Sequence, residues 1–170
     1  MAFNFANQLI AWYAEHGRTG MPWQNTRDPY AIWVSEIMLQ QTQVSTVTER
    51  YQLFLKRFPT LKSLAKAPID DVMALWSGLG YYSRARNMHK AAKQVVDLYA
   101  GVFPTHYSEL LSLPGVGEYT AAAIASFAEN HPHAVLDGNV FRVLSRYFGI
   151  EEPINSTAGK KLFSKLADEM

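Results

Sequence analysis

The chain has 170 residues, 48% hydrophobic, 13% aromatic and 18% charged, with 16 Lys and Arg against 15 Asp and Glu for a net charge of +1. That apolar fraction with so little net charge excludes a disordered chain, and the even charge balance excludes a whole-chain basic footprint for nucleic acid. The absence of cysteine excludes disulfides, thiol catalysis and thiolate-held metals within these residues.

Met1 to Gly17 lack the basic start of a secretory signal, and no apolar run approaches the ~20 residues that cross a bilayer. The expectation is a soluble, cytoplasmic, monomeric chain with no membrane partner. The dominant period is helical: roughly nine to eleven short helices and no sheet. Phe5, Leu9, Trp12 and Tyr13 mark one face of a first helix. Tyr30 to Leu39 is apolar nearly all round, as in a buried helix, yet it carries Glu36. A buried carboxyl must be paired, hydrogen-bonded or protonated. Glu36 is therefore either a general acid raised in pKa by desolvation, or a structural carboxylate beside an Arg or at an exposed position. Gln40-Gln41-Thr42-Gln43 follows, a polar cluster suited to base edges or to solvating a helix end.

Val44, Val47, Tyr51, Phe54, Leu55 and Phe58 form the next stripe, which Pro59 stops. Leu79-Gly80-Tyr81-Tyr82-Ser83-Arg84 sets aromatic rings beside arginine at a helix start, a pattern for stacking on bases and pairing with phosphate, or for core tyrosines with surface arginine. Ala85, Met88, Ala92, Val95 and Tyr99 continue that helix to Gly101. In Leu113-Pro114-Gly115-Val116-Gly117-Glu118-Tyr119-Thr120-Ala121, Pro114 halts a short helix, the glycines permit a tight turn, and an alanine-rich helix begins. The amides and positive dipole end of that second helix suit a phosphate without any lysine. Leu136-Asp137-Gly138-Asn139-Val140 places Asp137 as an N-cap worth about 1 kcal/mol, with a second oxygen free to face a cleft. Val140, Val143, Leu144, Tyr147 and Phe148 follow up to Gly149. Ser156 caps a last helix carrying Leu162, Phe163, Leu166 and Met170, and the pattern stops midway, as in a fragment of a longer protein. The five histidines show no metal-ligand spacing.

Pro22-Trp23, Trp33 to Val44, Leu75 to His89, Leu113 to Ile124 and Leu136 to Leu144 together, and in this order, resemble the helix-hairpin-helix superfamily of DNA glycosylases. Within it the likeness is to adenine-specific mismatch glycosylases of the MutY type. The resemblance implies an all-α helix-hairpin-helix glycosylase fold. A six-helix barrel module spans 25–130, with the hairpin near 108–128, and 1–24 with 131–170 form an incomplete second helical module. It implies base-excision repair by a monofunctional glycosylase acting on adenine mispaired with 8-oxoguanine or guanine in double-stranded DNA. A related thymine mismatch glycosylase and a non-catalytic helix-hairpin-helix DNA-binding fragment are the alternatives.

By the same resemblance Glu36 is the acid that protonates adenine N7, and Asp137 the carboxylate that stabilises the cationic sugar. Asn139 orients the catalytic groups. Tyr119 stands where bifunctional relatives carry a Schiff-base lysine, so no β-lyase step is expected. Trp23, Gln24, Leu39 and Val44 line the adenine pocket. Gln40, Gln41, Thr42, Leu79, Gly80, Tyr81, Arg84, Gly115, Val116, Gly117 and Thr120 contact DNA. The carbonyls of Leu111, Leu113 and Val116 hold a monovalent cation. Relatives also carry a four-cysteine 4Fe–4S cluster and a further C-terminal domain, both expected beyond Met170, so no cofactor is expected within this chain. Phe141 replaces a basic residue frequent in relatives, with the loss of one phosphate or sugar contact.

Overall fold

The computed structural model describes residues 4–170, and among them every regular element is a helix. The order is α1 (Phe5–His16), α2 (Pro29–Leu39), α3 (Val44–Arg57), α4 (Leu61–Lys66), α5 (Ile69–Leu75), α6 (Ser83–Leu98), α7 (Tyr107–Leu111), α8 (Glu118–Glu129), α9 (Gly138–Phe148) and α10 (Thr157–Asp168). Two compact units divide them: Pro22–His131, and Met1–Met21 with Pro132–Met170.

In the first unit α2 is the central element. Asp28 caps it by accepting the Tyr30 N–H, and Pro29 sits in its first turn, where a missing N–H costs nothing. Tyr30 to Ser35, Ile37 and Met38 are all buried. Helix α2 lies against α8 and α3. Ala121, Ala122, Ala123 and Ala125 of α8 are buried, so this side of the core is built from small side chains. Helix α3 contributes Val47, Tyr51 and Phe54 at helical spacing. Phe54 meets Phe58 and Trp76 edge-on at 5.0 and 6.1 Å. Trp33, Phe54, Phe58 and Trp76 have no solvent exposure, and burying each such ring stabilises the unit by about 2–3 kcal/mol. A reciprocal capping box between Thr60 and Ser63 starts α4. Helix α6 packs on α4 and α5, and His89 at its middle meets the Ala67 carbonyl through Nε2 at 3.0 Å.

The second unit is thinner. Asp137 and Ser156 cap α9 and α10, and Gly149 ends α9 in the left-handed conformation at φ 63°. Phe141 packs edge-on against the buried Phe163 at 5.1 Å, which gives this aromatic a packing role. The helical stripes read from the sequence are less buried than their pattern implies. No residue of α1 is buried, and Leu144 alone is buried on α9. Three helices offer each other too little apolar area to cover all their stripes. No helix among the described residues is long and apolar enough to cross a membrane.

Candidate active site

Glu36 projects from α2 at a position flanked by the buried Ser35 and Ile37. Its side chain is largely desolvated, and no hydrogen bond or ion pair to it exists among the described residues. Burial alone pushes its carboxyl up from 4.5 to about 7. A carboxylic acid of that strength holds its proton near neutrality and gives it up readily, as a general acid must. No arginine neutralises it, so the structural-partner alternative finds no support in the geometry.

The end of α2 is held by one side chain from α6. Arg84 Nη1 donates to the carbonyls of Ile37, Met38 and Gln40 at 2.8, 3.0 and 2.6 Å. Its Nη2 donates to Thr42 Oγ1 and to the carbonyls of Leu79 and Gly80 at 3.1, 2.8 and 3.1 Å. The first three are helix-end carbonyls without intrahelical partners, where a cation is favoured. This corrects the expectation of a phosphate-pairing Arg84: both of its terminal nitrogens are spent inside the chain. Leu79 also departs from expectation. It is 4% exposed and belongs to the core, so its side chain is no duplex wedge. Gln41 and Tyr81 are both exposed and left-handed, at φ 57° and 48°. Left-handed backbone costs a non-glycine residue about 1–2 kcal/mol and persists only where the surroundings fix it. Gly80 supplies a third positive φ, 70°, at no such cost.

Thr120 is buried and accepts a hydrogen bond from Gln40 Nε2 at 3.3 Å, tying the end of α2 to the first turn of α8. Both were expected to face DNA; their side chains instead face each other. Around the α2–α3 corner, Leu39 and Val44 are half-buried, Trp23 meets Tyr51 edge-on at 5.6 Å and Gln24 is exposed.

The hairpin between α7 and α8 is a type II turn. Pro114 precedes Gly115 at φ +79°, and the Val116 N–H returns to the Leu113 carbonyl at 3.1 Å. Leu113 and Val116 bury their side chains, so Val116 offers DNA only its backbone. Gly115 and Gly117 are exposed at the tip. A Cβ on Gly115 would lie 2.9 Å from Asn87 Cβ. No side chain caps α8, so its first-turn amides face outward unscreened by a local acceptor. Tyr119 stands in that turn, 43% exposed.

Asp137, in the second unit, has the opposite surroundings to Glu36. Its Oδ1 accepts the Asn139 and Val140 N–H groups at 2.9 and 2.8 Å, and its Oδ2 accepts Asn139 Nδ2 at 3.0 Å. Arg142 in turn donates to Asn139 Oδ1 at 2.8 Å. The cap reading holds, with Oδ1 capping α9, while the second oxygen, expected to be free to face a cleft, is held by the Asn139 side chain. Sequence reasoning missed Arg142, although its i+3 spacing from Asn139 was a usable signal. It also missed Trp76, whose indole N–H donates to the Gly80 carbonyl at 3.1 Å, and Asn87, for which no local signal exists.

Residues 34–168 match the HhH-GPD superfamily of base excision DNA repair proteins. The chain belongs to that superfamily. An adenine DNA glycosylase of Buchnera aphidicola subsp. Baizongia pistaciae is 47% identical over 166 residues, covering 98% of this chain and 47% of the relative. One from Homo sapiens is 42% identical over 175 residues, covering 98% and 32%. This HhH-GPD chain spans about half the length, or less, of such relatives. Among solved structures, a thermostable thymine-DNA glycosylase superposes with a TM-score of 0.89 at 31% identity, over 97% of this chain and 76% of that one. An endonuclease III–DNA complex superposes at 0.79 and 21% identity over 96% and 74%, a likeness of fold.

Proposed function

We propose that this HhH-GPD chain carries the catalytic residues of a monofunctional DNA glycosylase that hydrolyses the N-glycosidic bond of adenine mispaired with 8-oxoguanine or guanine in double-stranded DNA. The observation that carries this reading is Glu36, desolvated, unpaired and raised to about 7 on a buried helix. The adenine DNA glycosylases to which the chain is 42–47% similar by identity support the choice of base.

In this reading Glu36 gives its proton to N7 of an extruded adenine, the C1′–N9 bond breaks with its electron pair going to the base, and water adds to C1′ as it loses a proton. Asp137 faces the oxocarbenium-like sugar. At ~4 Å and an effective dielectric of ~20 such an anion gains about 4 kcal/mol, a thousandfold effect on rate. Asn139 orients Asp137, and Arg142 holds Asn139. Tyr119 offers a phenol where an amine would form a Schiff base, so no strand cleavage follows. Leu39, Val44, Trp23 and Gln24 receive the base. Gln41 and Tyr81 enter the stack, while the first amides of α8 and the Gly115–Gly117 tip hold a phosphate. The carbonyls of Leu111, Leu113 and Val116 are hard oxygen donors suited to a monovalent cation, the Leu113 carbonyl keeping one lone pair beside its turn bond. A 4Fe–4S cluster does not fit these residues, which include no cysteine, and it enters no step.

The test is single-turnover base release with the chain in excess. Release of adenine from a duplex bearing adenine opposite 8-oxoguanine is expected. Release of thymine from a G·T mispair instead would assign the activity of the thymine-DNA glycosylase it superposes on. Duplex binding with no base released would leave a DNA-binding fragment.

A further inference from the structure

Arg84 is the most heavily engaged side chain of the described residues, yet it touches no charged partner: its six acceptors are five main-chain carbonyls and one hydroxyl. The division between its two terminal nitrogens matters. Nη1 holds the segment 37–40 only, and Nη2 holds Thr42 on that side and Leu79 and Gly80 on the other. One planar group therefore spans two segments that are otherwise 37 positions apart, as Thr42 and Leu79 are. Two lesser links run parallel to it. Thr42 Oγ1 lies 3.3 Å from the Leu79 carbonyl, and the Trp76 indole donates to the Gly80 carbonyl.

In both segments the residue that follows a clamped carbonyl is the strained one. Gln41 follows the Gln40 carbonyl and Tyr81 follows the Gly80 carbonyl, and each is left-handed and exposed. Strain of this kind survives where hydrogen bonds over-determine the backbone, and Arg84 supplies them at both places. The remaining N–H, on Nε, is itself buried without an acceptor. No solvent-facing donor of Arg84 is left for a phosphate.

We infer that Arg84 is a positioning residue, which locks Gln41 and Tyr81 into one rigid two-pronged element, and that this rigidity drives base extrusion. The inference rests on the proposed duplex substrate. An amide and an aromatic ring carried on a backbone that is already fixed enter a base stack at a lower ordering cost than the same side chains on loose loops. Lysine keeps the charge but presents a point donor in place of the fork, so it cannot bridge both segments.

The experiment reads extrusion without chemistry. A duplex carries 2-aminopurine opposite 8-oxoguanine on a 2′-fluoro sugar that resists cleavage, and fluorescence at saturating protein reports the extruded fraction. Arg84→Lys is made in the parent and in a Gln41→Ala/Tyr81→Ala background. In the parent, affinity for matched duplex should stay within about twofold while the extrusion equilibrium falls about tenfold, as expected for losing several charge-assisted bonds. In the double-alanine background the same substitution should change extrusion by less than about twofold, because the prongs through which it acts are gone. An equal fall in both backgrounds, or loss of matched-duplex affinity with extrusion unchanged, overturns the inference. Should circular dichroism show Arg84→Lys unfolded, Thr42→Val removes one link of the clamp and leaves Arg84 in place. A roughly threefold, non-additive fall is expected from it, and unchanged extrusion in that folded variant overturns the inference. Extrusion by a parent that releases no adenine would remove the proposed activity and leave the role of Arg84 standing; a parent that extrudes nothing removes that role.

Discussion

Glu36 and Asp137 are the same functional group in opposed settings. Glu36 lies on a helix of buried apolar residues with no donor facing it. Asp137 stands at a helix start with three N–H donors on its two oxygens. The first setting disfavours charge, and the second surrounds the carboxylate with N–H donors. A glycosidic bond needs both, a proton for the leaving base and an anion beside the sugar, and the difference comes from placement rather than residue type.

The strongest way to break this contrast is Glu36→Gln. Adenine release should fall about 10²–10⁴-fold with duplex affinity retained, measured by single-turnover release and by titration; robust turnover would remove Glu36 from the acid role. The parent's rate should also decline as pH rises through about 7, where the carboxyl loses its proton. Asp137→Asn sharpens the other half. Asparagine still caps a helix, so stability should hold within a few tenths of a kcal/mol while release falls about a thousandfold. An undiminished rate would reduce Asp137 to a cap.

Next in size is a pH-dependent stability difference. Glu36 keeps its proton to about 7 when folded and to 4.5 when unfolded. Its burial thus costs nothing below the unfolded value, and the cost grows as pH rises through the folded one. Glu36→Gln should therefore unfold later than the parent at about pH 8, by at most about 3 kcal/mol, with the gap closing in acid. Denaturant titrations at the two ends of that range decide it; a pH-independent gap would mean that Glu36 is not desolvated. The smallest effect is Asp137→Ala, a loss of about 1 kcal/mol from the missing cap, read as a lower denaturant midpoint than that of Asp137→Asn.

Much of the fold was legible because its signals are local. The stripes of α3 and α6 have the helical period, Asp137 and Ser156 stand where caps belong, and Pro114-Gly115 spells its turn. Glu36 was legible as an anomaly, a carboxyl in an apolar helix. Leu79 was misread because a loop residue carries no period to say which way it points; the core took it. Arg84 looked like a phosphate ligand because backbone carbonyls, its actual acceptors, leave no trace in a sequence. The Gln40–Thr120 bond joins positions 80 apart, beyond any local pattern. The stripe of α1 announced a helix correctly but not its exposure, which depends on what its unit has available to cover it.

Gly115 carries a genetic consequence. Every missense change open to a glycine codon adds a Cβ, and here that atom meets both a left-handed backbone and the Asn87 side chain. Inherited variation at this codon has no mild step available. Any such allele forces either the turn or the Asn87 side chain to shift, so the cost of a substitution at this codon falls on the hairpin itself.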